Sequence, residues 1–392
     1  MGVPYYRRNL YVLSTTMFVA AVSWNQVVPF LPNFIKEMGV GRELLGWVGV
    51  VYSAQAIASI VAQPFWGRLG DRFGRKPMTV RAGICLTGIY LGMSYCQTPL
   101  QLAIFRLLNG ALTGFIPGSI ALIATNTPSE LAPRSVATAQ SATAVGGILG
   151  PVIGGALALL VGYRGTMVIS GVAVAVSTLL VWLLVEEPNK PKPNPHSSLT
   201  GDFARSMRSR VMRGMMITLL LHTAYFSAVT SILVLYLRDL APGAPEWLHG
   251  VIFALPGLAF AATARAWSRR GEQMGFERTM VIGMIGGVVC GLALAFAPNI
   301  WVFAVIFLAS SVFLASVQPS TMGVLCTRID EDFRGAAYGM YGSASMMGAL
   351  ISPIAGTQIG KLLGLKWVFV FGAALLATGI LLLPIVQGKA EK

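Results

Sequence analysis

Apolar stretches long enough to cross about 30 Å of hydrocarbon recur about a dozen times in this 392-residue chain, from residues 9–31 to residues 367–385, with short loops between them. No other feature narrows the accessible folds as far. Backbone inside lipid must satisfy its own hydrogen bonds, and successive runs of this length do so as helices. Composition agrees, since 55% of residues are hydrophobic and 11% charged, against about 25% charged in soluble domains. The expected fold is an all-α membrane protein with twelve transmembrane helices.

The twelve divide into two related sets of six. The run GGILGPVIGG sets Gly146, Gly150, Pro151 and Gly154 along one helix, and 202 positions later stand Gly348, Ser352, Pro353 and Gly356. WGRLGDRFG, beginning at Trp66, returns 201 positions later as WSRRGEQMG, beginning at Trp267. Two pseudo-symmetric halves of this kind can rock about a site held between them. The segment EEPNKPKPNPHSSLTGDFARSMRSR is polar, proline-rich and basic and builds no core, so it reads as a linker. The expected organisation is an N-terminal six-helix half at 1–185, a cytoplasmic linker at 186–213 and a C-terminal six-helix half at 214–392.

A formal charge of +14 would point to nucleic acid in a soluble protein, but here placement decides. Alternate loops collect Arg68, Arg72, Arg75, Lys76, Arg134, the basic linker, Arg269, Arg270 and Arg278, while the opposite loops hold few basic residues. That is the positive-inside asymmetry, with both termini cytoplasmic. Nucleic-acid binding is excluded as the reading of the charge. The first apolar stretch spans without a small-residue cleavage pattern, so it is expected to stay in the mature protein. Cys85, Cys96, Cys290 and Cys326 have no CxxC spacing, so neither a disulfide framework nor a metal site is expected. No GxxxxGK[ST] loop occurs, so ATP is not the direct fuel, and no cofactor is expected.

GRLGDRFGRKP, at 67–77, joins the second and third helices; its glycines permit a tight turn and Asp71 sits among basic residues. As residues alone this is a charged turn. The string closely resembles the signature loop of the major facilitator superfamily, and its altered copy near 268–278 stands where that family has a second one. The resemblance implies that Gly67, Asp71, Arg72, Gly74 and Arg75 form a conformational latch. In it Asp71 engages the N-terminus of a helix in the opposite half, near Ala336, where backbone N–H groups and the helix dipole favour a carboxylate.

In the fifth helix, glycines four apart expose a smooth stripe for close helix packing, and Pro151 adds a kink. The stripe Gly146, Gly150, Pro151, Gly154 also resembles the motif that marks drug:proton antiporters and related exporters in that superfamily. VVPFLPNF, with Pro29 and Pro32, and RLLNG, at 106–110, resemble the twelve-helix drug antiporter branch, which includes bacterial multidrug efflux members. Arg106 lies roughly 9 Å inside the fourth helix at 1.5 Å per residue. An arginine there costs about 2.5–3.5 kcal/mol on insertion scales and should face the protein interior or a wet cavity.

Every acid is assigned to a loop or a helix end, so the membrane-depth carboxylate that binds lipophilic cations in many exporters is absent. His222, about eight residues into the seventh helix, is the titratable group near mid-depth; His249 is expected at the interface. The resemblance places the first, fourth, seventh and tenth helices around the cavity, with contributions from the fifth, eighth and eleventh. The substrate and proton pathway is then expected to include Asn25, Gln26, Arg106, Asn109, His222, Tyr225, Phe226, Tyr338 and Tyr341. Aromatics supply adaptable apolar contact and amides fix orientation.

The expected function is secondary active efflux of small amphiphilic compounds, neutral, zwitterionic or anionic, by alternating access and proton-coupled antiport from a bacterial inner membrane. Coupling stays open on the residues alone. A protonated His222 beside Arg106 would bind an anion together with its proton, so exchange needs steric competition at His222 or a coupling acid such as Asp71 or Glu130. The expected partners are a small-molecule substrate, protons and the bilayer, with the chain acting as a monomer and not as an enzyme. An exporter dedicated to one endogenous metabolite, such as a metallophore, sugar or lipid-like molecule, is the alternative. A receptor or scaffold that has kept the fold without transport is the reading from another class.

Overall fold

The computed structural model describes residues 4–41, 43–128, 131–188, 199–329 and 334–387, and among them every regular element is helical. The helices are α1 (Tyr5–Val27), α2 (Leu31–Glu37), α3 (Leu44–Phe73), α4 (Arg75–Ser94), α5 (Pro99–Leu112), α6 (Phe115–Asn126), α7 (Ala132–Leu184) and α8 (Leu199–Arg208). They continue as α9 (Arg210–Leu240), α10 (Glu246–Met274), α11 (Phe276–Leu294), α12 (Ile300–Leu314), α13 (Val317–Arg328), α14 (Arg334–Leu363) and α15 (Lys366–Gln387).

Twelve crossings result from fourteen of these fifteen pieces. The first is split into α1 and α2 by a tight turn over Val28–Phe30, where Pro29 withholds an N–H and Pro32 opens the next piece. The fourth and tenth are likewise two pieces each, α5 with α6 and α12 with α13. The fifth and sixth run together in α7, which reverses at Gly162 in the left-handed region, φ 70°. The linker contributes the short α8. Among the described residues eight helical segments, one of them holding both the fifth and sixth crossings, are long and apolar enough to span by length and composition alone.

The chain forms two compact units. One comprises residues 1–40, 57–195 and 244–257, the other residues 41–56, 196–243 and 258–392. Each thus takes in one stretch from the other chain half. The repeat is visible in their bonding: Trp66 Nε1 donates to the Ala111 carbonyl at 2.6 Å and Trp267 Nε1 to the Val312 carbonyl at 2.7 Å. Shifting both members of the first pair by 201 positions yields the second.

Lipid tails are as apolar as leucine, so close backbone contact has to supply what hydrophobic burial supplies in water. In the first unit the glycine stripe does this against α1. A Cβ on Gly146 would stand 2.6 Å from the Phe18 carbonyl oxygen and one on Gly150 2.9 Å from that of Val22. One on Gly154 would run into the Gln26 backbone, 2.7 Å from its Cα. Three glycines four apart meet three residues four apart, one per turn. The same helix receives the borrowed segment on another side, where a Cβ on Gly155 would be 2.7 Å from the Glu246 carbonyl oxygen. In the second unit Gly348 of α14 abuts α9 at Leu220 and Ala224, and Ser53 of the borrowed stretch of α3 donates to the Leu350 carbonyl at 2.6 Å.

Candidate substrate and proton site

In the first unit Arg106 is carried by α5, whose start is fixed by a capping box. Thr98 accepts from the Gln101 backbone, and the Gln101 side chain accepts from the Thr98 backbone in return. The Arg106 side chain is 4% exposed, and its guanidinium lies 5.0 Å from the centre of the Trp24 ring of α1, within cation–π range. Asn109, one turn on along the same face, is 1% exposed; its Oδ1 accepts from Thr113 Oγ1 at 3.3 Å. The Asn109 Nδ2 is buried with no hydrogen-bond partner among the described residues, and so is the hydroxyl of Tyr90 on α4. Arg106 acts electrostatically on that phenol. Buried polar groups are nearly always paired, so two unmet groups beside a buried cation form an arrangement ready for a ligand that accepts hydrogen bonds.

The neighbouring amides are committed elsewhere. Asn25 Nδ2 donates to the Ala21 carbonyl at 2.9 Å, and the side chain packs on Gly150. Gln26 Nε2 donates to Ser170 Oγ in the second crossing of α7.

In the second unit α9 carries three of the expected residues on two faces. His222 is half-buried and Phe226, one turn on, is exposed. Tyr225 points the other way: its hydroxyl pairs with Ser310 at 3.2 Å and its ring lies against Gly372 of α15. The Tyr341 hydroxyl pairs with Thr321 at 2.6 Å. The two described tyrosines therefore tie helices together, and His222 with Phe226 forms the accessible face. The side chains of Tyr338 and Asp71 and the surroundings of position 67 lie outside the described residues, as do the side chains at the start of α14 near Ala336, which Asp71 was expected to meet, and the whole of Glu130.

Residues 72–76 of the 67–77 loop form a tight turn. Gly74 reverses the chain between α3 and α4 at φ 104°, a conformation costly for any residue with a Cβ. The Glu187 carboxylate then caps α4, accepting from the Arg75 N–H at 2.7 Å and the Lys76 N–H at 2.9 Å, while Arg75 Nη1 donates to the Ala121 carbonyl at 2.8 Å. Arg72 lies over Phe73. The second copy turns the same way, with Gly275 at φ 93°.

One cluster was not anticipated. His249 is 1% exposed, buried instead of interfacial, because the start of α10 packs into the first unit. Its Nδ1 stands 3.4 Å from Glu246 Oε2, and Asn33 of α2 approaches the same carboxylate at 3.3 Å. The i, i+3 spacing of Glu246 and His249 was the available signal; Tyr90, within an ordinary apolar run, offered none. Among the described residues no group of three or more His, Cys, Asp or Glu could hold a metal ion.

Comparison with known proteins supplies the family. The family profile described as Major Facilitator Superfamily matches residues 13–248 and 239–391. The chain is 27% identical over 374 residues to the multidrug resistance protein MdtG of Proteus mirabilis (strain HI4320), covering 94% of this chain and 93% of the relative. To the MdtG of Salmonella arizonae it is 28% identical over 369 residues, covering 93% and 91%. Its fold matches the crystal structure of a bacterial homologue of the human lysosomal transporter Spinster with TM-score 0.85 at 12% identity, over 99% of this chain and 98% of the other.

Proposed function

The chain belongs to the major facilitator superfamily, a multi-pass transporter of the inner membrane and not an enzyme, and from that premise we propose that it exports small drug-like amphiphiles by alternating access. Relatives that share nine-tenths of its length carry the name multidrug resistance protein, which supports export. We further propose exchange against protons, both termini in the cytoplasm and action as a monomer.

The observation that carries the substrate class is the cluster around Arg106. A buried guanidinium stacked on Trp24, with the Asn109 Nδ2 and the Tyr90 hydroxyl, which have no partner among the described residues, favours carbonyl, sulfonyl or carboxylate oxygens on the substrate and disfavours a permanent cation. His222 and Phe226, on the accessible face of α9 in the second unit, are a titratable and an aromatic group. His222 takes the proton in this reading, and competition between substrate and proton at its ring makes the process antiport. Asp71 and the loop around it serve as the latch.

The test is uptake into inside-out proteoliposomes with and without an imposed pH gradient, using matched cationic, neutral and anionic amphiphiles. Gradient-driven uptake of the neutral or anionic members, lost in Arg106→Ala and His222→Ala, is the expected result. Uptake of the cationic members alone would overturn the substrate class, and uptake indifferent to the gradient would overturn proton exchange.

A further inference from the structure

On the surface of the first unit, α4 and the second crossing of α7 pack closely at Gly83, at Leu91 against Gly171, and where Arg164 donates to the Ser94 carbonyl. A Cβ on Gly83 would come within 2.9 Å of Thr178 Cγ2. Beside that contact the helices part into two adjoining cavities of about 410 and 450 Å³, which share Val80, Ile84 and Trp182. The walls are apolar and open to the membrane: Ile84 is 62% and Trp182 60% exposed. The end toward the start of α4 is basic, with Lys76 and Arg81 on its lining.

Arg81 is the unusual member. Its guanidinium lies 3.3 Å from the centre of the Trp66 ring, and Trp66 is itself anchored to the Ala111 carbonyl. The cation is thereby held in a fixed plane. Its Nε and Nη1 are buried with no acceptor among the described residues. The nearby carboxylate that could neutralise this end, Glu187, is already engaged with the backbone N–H groups of Arg75 and Lys76. Two cations at the head of a lipid-facing apolar trough match one kind of molecule abundant around a membrane protein: a double-chain amphiphile with an anionic phosphate head.

We propose that the α4/α7 groove is a binding site for an anionic phospholipid, whose phosphate sits on Arg81 and Lys76 and whose acyl chain lies along Val80, Ile84 and Trp182. Arg is suited to this because its planar fork meets phosphate oxygens in pairs while the Trp66 ring covers its face. The bound lipid fills the gap between the two helices beside the Gly83–Thr178 contact, next to the 67–77 loop.

The experiment uses the full chain in detergent with dioleoyl phosphatidylglycerol or dioleoyl phosphatidylcholine added, counting retained lipid by native mass spectrometry and following thermal unfolding. The wild type should retain phosphatidylglycerol in preference and melt higher in its presence. Lys76→Gln with Arg81→Gln should weaken retention about 30-fold, two charges at the strength that basic residues near a membrane show toward anionic lipid. Lys76→Gln alone, which leaves the Arg81–Trp66 stack intact, should weaken it about 5-fold and keeps the test valid if the double variant fails to fold. Lys361→Gln with Lys366→Gln, in the other unit, should change nothing, and glycerol 3-phosphate, which lacks acyl chains, should not compete. Equal retention of the two lipids by the wild type, undiminished retention in Lys76→Gln, or an equal loss in the Lys361/Lys366 control would each overturn the proposal.

Discussion

Tyr90→Phe separates a functional hydroxyl from a structural one by the sign of two effects. The Tyr90 ring is 2% exposed and its hydroxyl has no partner among the described residues. A buried polar group without a partner costs about 1–3 kcal/mol of desolvation, so deleting the oxygen while keeping the ring should leave the empty protein more stable. At about 2–4 °C of melting temperature per kcal/mol for a unit of this size, purified Tyr90→Phe should unfold a few degrees above wild type. Transport should move the opposite way. If the hydroxyl serves the substrate beside Arg106, its loss removes one hydrogen bond of about 0.5–1.5 kcal/mol, a rise in KM of about 2- to 12-fold for substrates bearing an acceptor oxygen. Substrates without such an oxygen should be unaffected. Differential scanning fluorimetry and proteoliposome flux on one preparation give both numbers. A lower melting temperature with unchanged KM would refute the reasoning, since it would mean that the hydroxyl is paired within the protein and idle in transport.

Gly154→Ala places a Cβ on the Gln26 backbone and should cost about 1–3 kcal/mol of stability as overpacking. Gly147→Ala, whose nearest neighbour would be Asn25 Nδ2 at 3.7 Å, should melt as wild type, and equal melting of the two variants would refute the close contact. Trp66→Phe and Trp267→Phe each remove one indole hydrogen bond and should lose similar stability, about 0.5–1.5 kcal/mol, in thermal unfolding; loss confined to one would show that the repeat is not energetically symmetric. Arg106→Ala should abolish flux with expression near wild type, because a buried charge adds little net stability once its desolvation is counted, and Arg106→Lys should not rescue it, since an ammonium cannot stack on Trp24 as the guanidinium does. Normal flux in Arg106→Lys would show that charge alone suffices there.

Much of the architecture was legible because lipid makes it local. Each crossing satisfies its backbone within its own run, so apolar runs taken together with the repeat at half the chain length count the helices. The glycines at 146, 150 and 154 announce a close contact because one face of a helix recurs every turn. The repeat at 201–202 positions predicted paired geometry, and Trp66 with Trp267 and Gly74 with Gly275 display it. The family followed from the same strings, above all the loop at 67–77, and the profile match bears it out.

What the sequence by itself determined, then, is the number of crossings, their division into related sets of six and the positions where helices must approach closely, all properties of spacing along one helix. The tertiary structure alone decided which carbonyls the glycines face, that Gln26 is spent on Ser170 while the Asn109 Nδ2 has no partner among the described residues, that Arg106 acts electrostatically on Tyr90, and that His249 is buried against Glu246. Those pairings depend on how each helix is rotated and crossed against its neighbours. Helical period records which residues share a face, and only packing decides what that face meets.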